Sequence, residues 1–128
     1  MSTRTSDERG SVSIVMAAGV AVVLVLTMGV ADLGRVLTAR GRARVAADAA
    51  ALAVAQELAV PSGLDPAALA AEYAEANDAE IVSCGCAAGT FEALVVVRVP
   101  VGDLLLVPGS PTIDARARAV VDLPAADP

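Results

Sequence analysis

Cys84 and Cys86 are the pair of residues whose types and spacing combine into a candidate reactive unit. In "VSCGCAAG" the two thiols flank one glycine, at the end of a β-branched stretch. Three chemistries are open to them. A disulfide would close a very small ring, for which Gly85 supplies backbone freedom, and it would persist in an oxidising compartment. Two reduced, partly buried thiols would only fill space. A metal site needs further ligands, and a chain with no histidine leaves carboxylates alone to complete one. The disulfide is the leading expectation and metal binding the last. A bridge between residues two apart would staple a turn and not the fold.

Nothing else in the sequence assembles into chemistry. Without histidine the commonest general base is missing. There is no G-x-S-x-G, no phosphate-binding loop and no dinucleotide fingerprint. The acids are scattered over helix faces and strand ends, where solvation and capping account for them. No catalytic residue, cofactor-binding residue, metal ligand or small-molecule substrate is therefore expected. The net charge of −6 is unevenly spread: residues 1–44 carry six Arg against three acids, and residues 45–128 three Arg against twelve. An acidic distal part argues against nucleic acid, which needs a basic face. Arg35, Arg40, Arg42 and Arg44 suit either a membrane surface or a solvated helix face. Asp32 suits an ion pair with Arg35 one turn on, or a contact to a partner's positive group.

The element that must carry all this begins with an apolar run. Ser11 to Ala31 contains no formal charge, and its polar side chains are Ser11, Ser13 and Thr27. A helix of that length spans roughly 30 Å, the thickness of a bilayer's hydrocarbon core. A soluble helix of a small domain would show a polar stripe. Two membrane fates compete with a soluble core. The run stays as an anchor, or a signal peptidase removes it after Gly29-Val30-Ala31, releasing a small binding domain. The anchor is favoured, because the run exceeds the usual signal-peptide apolar region of about 7–15 residues and its N-terminal flank is only weakly basic. The Arg cluster beyond the run, read by the positive-inside rule, would place the C-terminal side in the cytoplasm.

Beyond the run, Asp32–Val60 is dominated by strong helix formers, with Gly34 and Gly41 as weak points. A continuous helix from about Gly10 to Ala59 is expected. Its Ala track at 45–59, with Val45 and Leu52, offers a small-residue face for another helix. Pro61-Ser62-Gly63 ends it. "LDPAALAAEYAEAND" reads as a second helix, with Asp65 as N-cap and Pro66 at the first helical position. "AEIVSC", "FEALVVVRVPV" and "TIDARARAVVDL" read as strands, the last by its alternation of Ile113, Ala115, Ala117 and Ala119 with polar residues. "GDLLLVPGSP" is a connection with a short apolar patch. The expected fold is α+β: a long N-terminal transmembrane helix, a short second helix and a small three-stranded antiparallel sheet packed on them. The expected segments are residues 1–10, a span at 11–31, its helical continuation at 32–60, an α+β domain at 61–123 and a disordered tail at 124–128. One Phe, one Tyr and no Trp leave Ala, Val and Leu to fill the core, so thin packing is expected.

These residues carry a resemblance. Arg9-Gly10-Ser11, the apolar span, the membrane-exit pattern Asp32-x-Gly34-Arg35 and "AADAAALA" from Ala46 to Ala53 resemble the N-terminal region of TadE/TadG-like proteins of Flp pilus assembly. The short actinobacterial TadE-like form is the most similar. The resemblance implies a membrane-anchored, pilin-like spine and a structural, non-catalytic role in a tight-adherence secretion system. It also implies partners among the other assembly proteins, and a cytoplasmic N-terminus with the C-terminal part facing outward from the inner membrane. That topology opposes the Arg count. It further implies a prepilin-type processing site between Gly10 and Ser11. Prepilin-like substrates carry Glu five residues past the cut, whereas this chain has Val15. A membrane-resident accessory protein is accordingly expected over a major filament subunit.

Overall fold

The computed structural model describes residues 5–122, with side chains from residue 10 onward. The chain is α+β: two helices and an open, three-stranded antiparallel sheet, in the order α1 (Thr5–Ala59), α2 (Pro66–Glu75), β1 (Glu80–Gly85), β2 (Glu92–Pro100) and β3 (Thr112–Val120). The expected tail at 124–128 and the first four residues of the expected 1–10 segment lie outside the described residues.

Helix α1 is one element of 55 residues, beginning at Thr5, ahead of the expected start at Gly10. It passes through Gly10, Gly34 and Gly41 without a break. A single glycine costs a helix about 1 kcal/mol against alanine, too little to interrupt a cooperative run of this length. The end is sharper. Pro61 cannot continue the helix, and Gly63 takes φ 93°, a left-handed conformation that suits glycine. Glu57, in the last turn, folds its carboxylate over this corner. It accepts the N–H groups of Ser62, Gly63 and Leu64 at 2.7, 3.0 and 3.2 Å and the Ser62 hydroxyl at 2.6 Å. Three backbone donors that neither helix can satisfy are thus paired by one side chain.

Asp65 caps α2 as its sequence suggests, accepting from the Ala67 and Ala68 N–H groups at 3.3 Å each. The helix closes with Asp78 at φ 56°. The Ala79 N–H returns to the Ala74 carbonyl and the Asp78 N–H to that of Glu75, both at 3.0 Å, the bond pair of a Schellman ending. That reversal feeds directly into β1.

In the sheet, order β1-β2-β3, the central strand shows the cleanest alternation. Ala93, Val95, Val97 and Val99 are buried against α1, while Leu94, Val96 and Arg98 face outward. Strand β3 follows its expected pattern, with Ile113, Ala115, Ala117 and Ala119 on the inner side. On the outer face Arg98 meets Asp114 directly opposite, at 2.8 Å, and Arg118 meets Glu92 at 2.6 Å. A bulge at Val82 shifts the β1–β2 register, so Ile81 and Cys84 both turn toward the core.

One core joins helix and sheet. Its helical half is Ala39, Ala43, Ala46, Ala47, Ala50, Ala51, Val54 and Ala55, which meets Ala70 and Ala74 of α2 and the valines of β2. The small-residue face of α1 is therefore covered by the chain's own sheet and α2. Val45 and Leu52, expected on the same face, lie on the opposite side and are exposed. The largest fully buried side chains are four valines: Val54, Val95, Val97 and Val99. Packing is as thin as the missing aromatics suggest.

A core this thin is sensitive to volume in both directions. Val97→Ala is expected to cost about 2 kcal/mol through lost burial and a residual cavity. Ala47→Leu is expected to cost about 1–3 kcal/mol by pushing the sheet off the helix. Denaturant unfolding of the full chain in detergent micelles, followed by circular dichroism, checks both. Equal midpoints for wild type and Ala47→Leu would mean the interface is loose.

Candidate functional site

The candidate site lies where the apolar part of α1 ends. From Gly10 to Ala31 every residue of the helix is exposed except Gly29, so this stretch has almost no neighbours of its own. It is a helix long and apolar enough to cross a membrane by length and composition. Asp32, the first charge after it, is 7% exposed. A carboxylate at that position must find donors or pay heavily for its burial.

The donors come from the far end of the sequence. The β2–β3 connection, residues 101–111, leaves the sheet, runs back along α1 and returns. The Leu105 N–H donates to Asp32 Oδ1 and the Leu106 N–H to Asp32 Oδ2, both at 2.8 Å. Arg35, one turn on, stands 3.8 Å from Asp32 Oδ1 and donates to the Asp103 carbonyl at 2.6 Å. The Ser110 hydroxyl closes the base of the loop on Asp103 Oδ1 at 3.2 Å. Gly102 and Gly109, at φ 86° and 105°, allow the two reversals. The expected Asp32–Arg35 pairing is present, but it is the longer contact; the carboxylate serves chiefly as a two-pronged acceptor for loop backbone. The Leu106 side chain reaches past Asp32 to Gly29, where a Cβ would lie 3.7 Å from its Cδ1.

The other expected site residues sit apart from this clamp. Gly10 and Ser11 are exposed and lie inside α1, about 33 Å from Asp32 at the helical rise. Gly34 has open space where a Cβ would stand, and its carbonyl accepts the Thr38 hydroxyl at 2.9 Å within α1. Cys84 and Cys86 lie at the end of β1, half-buried against the core edge, with their sulfur atoms paired and their Cα atoms 5.2 Å apart, within the range of bridged cysteines. Among the described residues no group of three or more His, Cys, Asp or Glu is placed to hold a metal ion.

Residues 10–57 match the family model described as Putative Flp pilus-assembly TadE/G-like. No curated protein and no solved structure matches the chain. The TadE/G-like segment covers nearly all of α1: the apolar run, the Asp32 clamp and the alanine face under the sheet. The match and the membrane-capable helix together support a component of pilus assembly.

Two polar contacts are not legible in the sequence, the loop clamp and the Glu57 corner. The clamp had a faint signal. Leu104-Leu105-Leu106-Val107 is a charge-free apolar patch between two glycines, in a connection and not in a strand.

Glu57 is expected to make the fold acid-sensitive, with a smaller contribution from the half-exposed Asp114. The Ser62 hydroxyl bond, helped by the N–H groups of residues 62–64, holds the Glu57 carboxyl below its ordinary value against the opposing effect of desolvation. The Arg98 hydrogen bond and charge do the same for Asp114. Each group is then a stronger acid folded than unfolded. The stability it contributes is complete above the usual carboxylate range and is lost as pH falls through that range toward the lowered folded value. Thermal melts of the full chain are expected to hold steady from neutral pH down to that range and then decline. Glu57→Gln is expected to lower stability at neutral pH and to flatten part of the acid decline. An unchanged acid limb in this variant would remove Glu57 from the account.

Proposed function

We propose that the chain is a single-pass, membrane-anchored, minor-pilin-like (pseudopilin) component of a tight-adherence/Flp pilus assembly or a related secretion system. Its role is structural and not catalytic. The observation that carries this reading is the continuity of α1. A charge-free, almost wholly exposed helical segment runs without interruption into the spine of a small domain, inside the region that matches TadE/G-like proteins. Exposed apolar surface on that scale calls for an apolar surround. Ala17, Ala18, Gly19 and Ala21 on the exposed run let a second helix approach closely.

The span is residues 11–31 in the inner membrane, with the α+β domain on the outer side. The paired positions of Cys84 and Cys86 support that side, since a bridge persists outside the reducing cytoplasm. Any prepilin-type cut falls between Gly10 and Ser11, and Val15 in place of an acidic residue favours an accessory role over that of filament subunit.

Intact mass and N-terminal sequence of the protein from membrane and medium of its native host test the anchor. The expected result is protein in the membrane fraction beginning at Met1, Ser2 or Ser11, lighter by two hydrogens for the bridge. A chain beginning at Asp32 in the medium would overturn the anchor in favour of a secreted domain. The assembly role is tested separately by placing a cross-linker at Gly19, as Gly19→Cys, in membranes holding the full machinery. A covalent product with another pilus-assembly protein is expected; recovery of monomer alone would end the pseudopilin reading.

A further inference from the structure

The geometry points to a second membrane contact: the Leu105–Val107 tip of the β2–β3 loop lies in the lipid of the same leaflet that α1 leaves. This inference rests on the anchor reading above and adds to it a surface that the span alone does not require.

Three observations carry it. The loop tip is apolar and open, with Leu105, Leu106 and Val107 at 53, 46 and 53% exposure. Its depth is fixed by contact and not by chain reach. Leu106 lies against Gly29, three residues inside the charge-free run from Asp32 and so about 4.5 Å deeper along the helix. The loop's exposed apolar surface is therefore continuous with that of the span, and whatever solvates Met28–Ala31 also meets Leu106. Finally, the backbone cost that normally keeps a loop out of lipid is lowered at the tip. Irregular backbone is costly in hydrocarbon because its N–H groups lack partners. Here the Leu105 and Leu106 N–H groups are both taken by Asp32, and Pro108 has none. From Leu104 to Pro111 the loop carries no charge.

The same bonds explain how a carboxylate is tolerated at the edge of the hydrocarbon. Asp32 and the loop satisfy one another, so the pair sits at a depth that neither would occupy alone. Arg35, holding the Asp103 carbonyl, marks the head-group level above it.

The chain has no tryptophan, which makes single-tryptophan variants clean depth probes. Val107→Trp, Val30→Trp and Val120→Trp replace exposed side chains in the loop tip, the span and the outer face of the sheet. Each full-length variant is reconstituted into phosphatidylcholine/phosphatidylglycerol vesicles, with and without lipids spin-labelled on the upper acyl chain. The expected result is blue-shifted emission and strong quenching for Val107→Trp, comparable to Val30→Trp, with Val120→Trp unquenched. Adding Asp32→Asn to Val107→Trp is expected to lose most of that quenching, while Asp32→Asn with Val30→Trp keeps it. Quenching of Val30→Trp with none at Val107→Trp overturns the loop contact and leaves the anchor standing. Protection of Val107→Trp only when other assembly proteins are present overturns it in favour of a protein partner. Absence of quenching at Val30→Trp overturns the anchor reading itself.

Discussion

The rest of the structure depends on how closely a helix can approach a sheet. The approach of α1 to β2 is made by alanines on one side and valines on the other, with Val54 the largest fully buried helical side chain. Such pairs let two backbones come near each other, but each contributes little apolar area. A small domain then has to recover stability by extending the contact. The inner row of α1 from Ala39 to Ala55 amounts to more than four helical turns, all covered by the sheet and α2. Length of contact replaces bulk of side chain. This is also why α1 cannot be treated as a stalk below a separate globular unit: without residues 39–55, the inner faces of β2 and β3 have nothing to pack on.

The remaining polar contacts close the two ends of that interface. At the far end, Glu57 gathers the N–H groups of the α1–α2 corner and holds α2 where Ala70 and Ala74 can reach the core. At the near end, Asp32 gathers those of the β2–β3 loop. Both are carboxylates low in exposure, and both take most of their hydrogen bonds from backbone N–H groups, with Arg35 only a longer charge contact to Asp32. Backbone donors are already ordered by the chain, so little side-chain entropy is lost in making these bonds. The Arg–carboxylate pairs on the outer sheet face are half-exposed, and pairs of that kind contribute little to stability.

Much of this fold was legible because its punctuation is local. Pro61-Ser62-Gly63 stops α1, Asp65-Pro66 starts α2, and the shift from Ala-rich to Val-rich sequence after Asp78 marks the sheet. The alternation through β3 gave its inner face residue by residue. What stayed hidden is non-local. Asp32 and Leu105 are 73 positions apart, and no periodicity links them. The Val82 bulge is equally silent, since a strand with one extra residue reads like any β-branched run. The alanine face meets a helix, α2, as its small residues suggest, but it also carries the sheet, and Val45 and Leu52 do not belong to it. Small residues along a helix show that something approaches closely, but an adjoining sheet and a second helix leave the same mark, and Val45 and Leu52 lie about half a turn from the true seam.

A continuous helix shared between span and domain has a mechanical consequence. Bending is resisted along its length, because tilting the domain relative to the span would break helical hydrogen bonds or open the alanine seam. Rotation about the helix axis is different: on the proposed membrane reading, a single cylinder in lipid has little to fix which side of the domain faces which neighbour. A second contact off the axis removes that freedom, and the loop held by Asp32 is the part of the chain placed to supply one. On the proposed membrane reading, Asp32 then does two jobs with the same two oxygens. It completes the loop, and through the loop it sets the azimuth at which the sheet's outer face, with its Arg98, Arg116 and Arg118 row, is presented above the bilayer. A substitution at Asp32 that leaves insertion of the span intact would therefore alter presentation without altering anchoring, separating two properties that the helix alone would tie together.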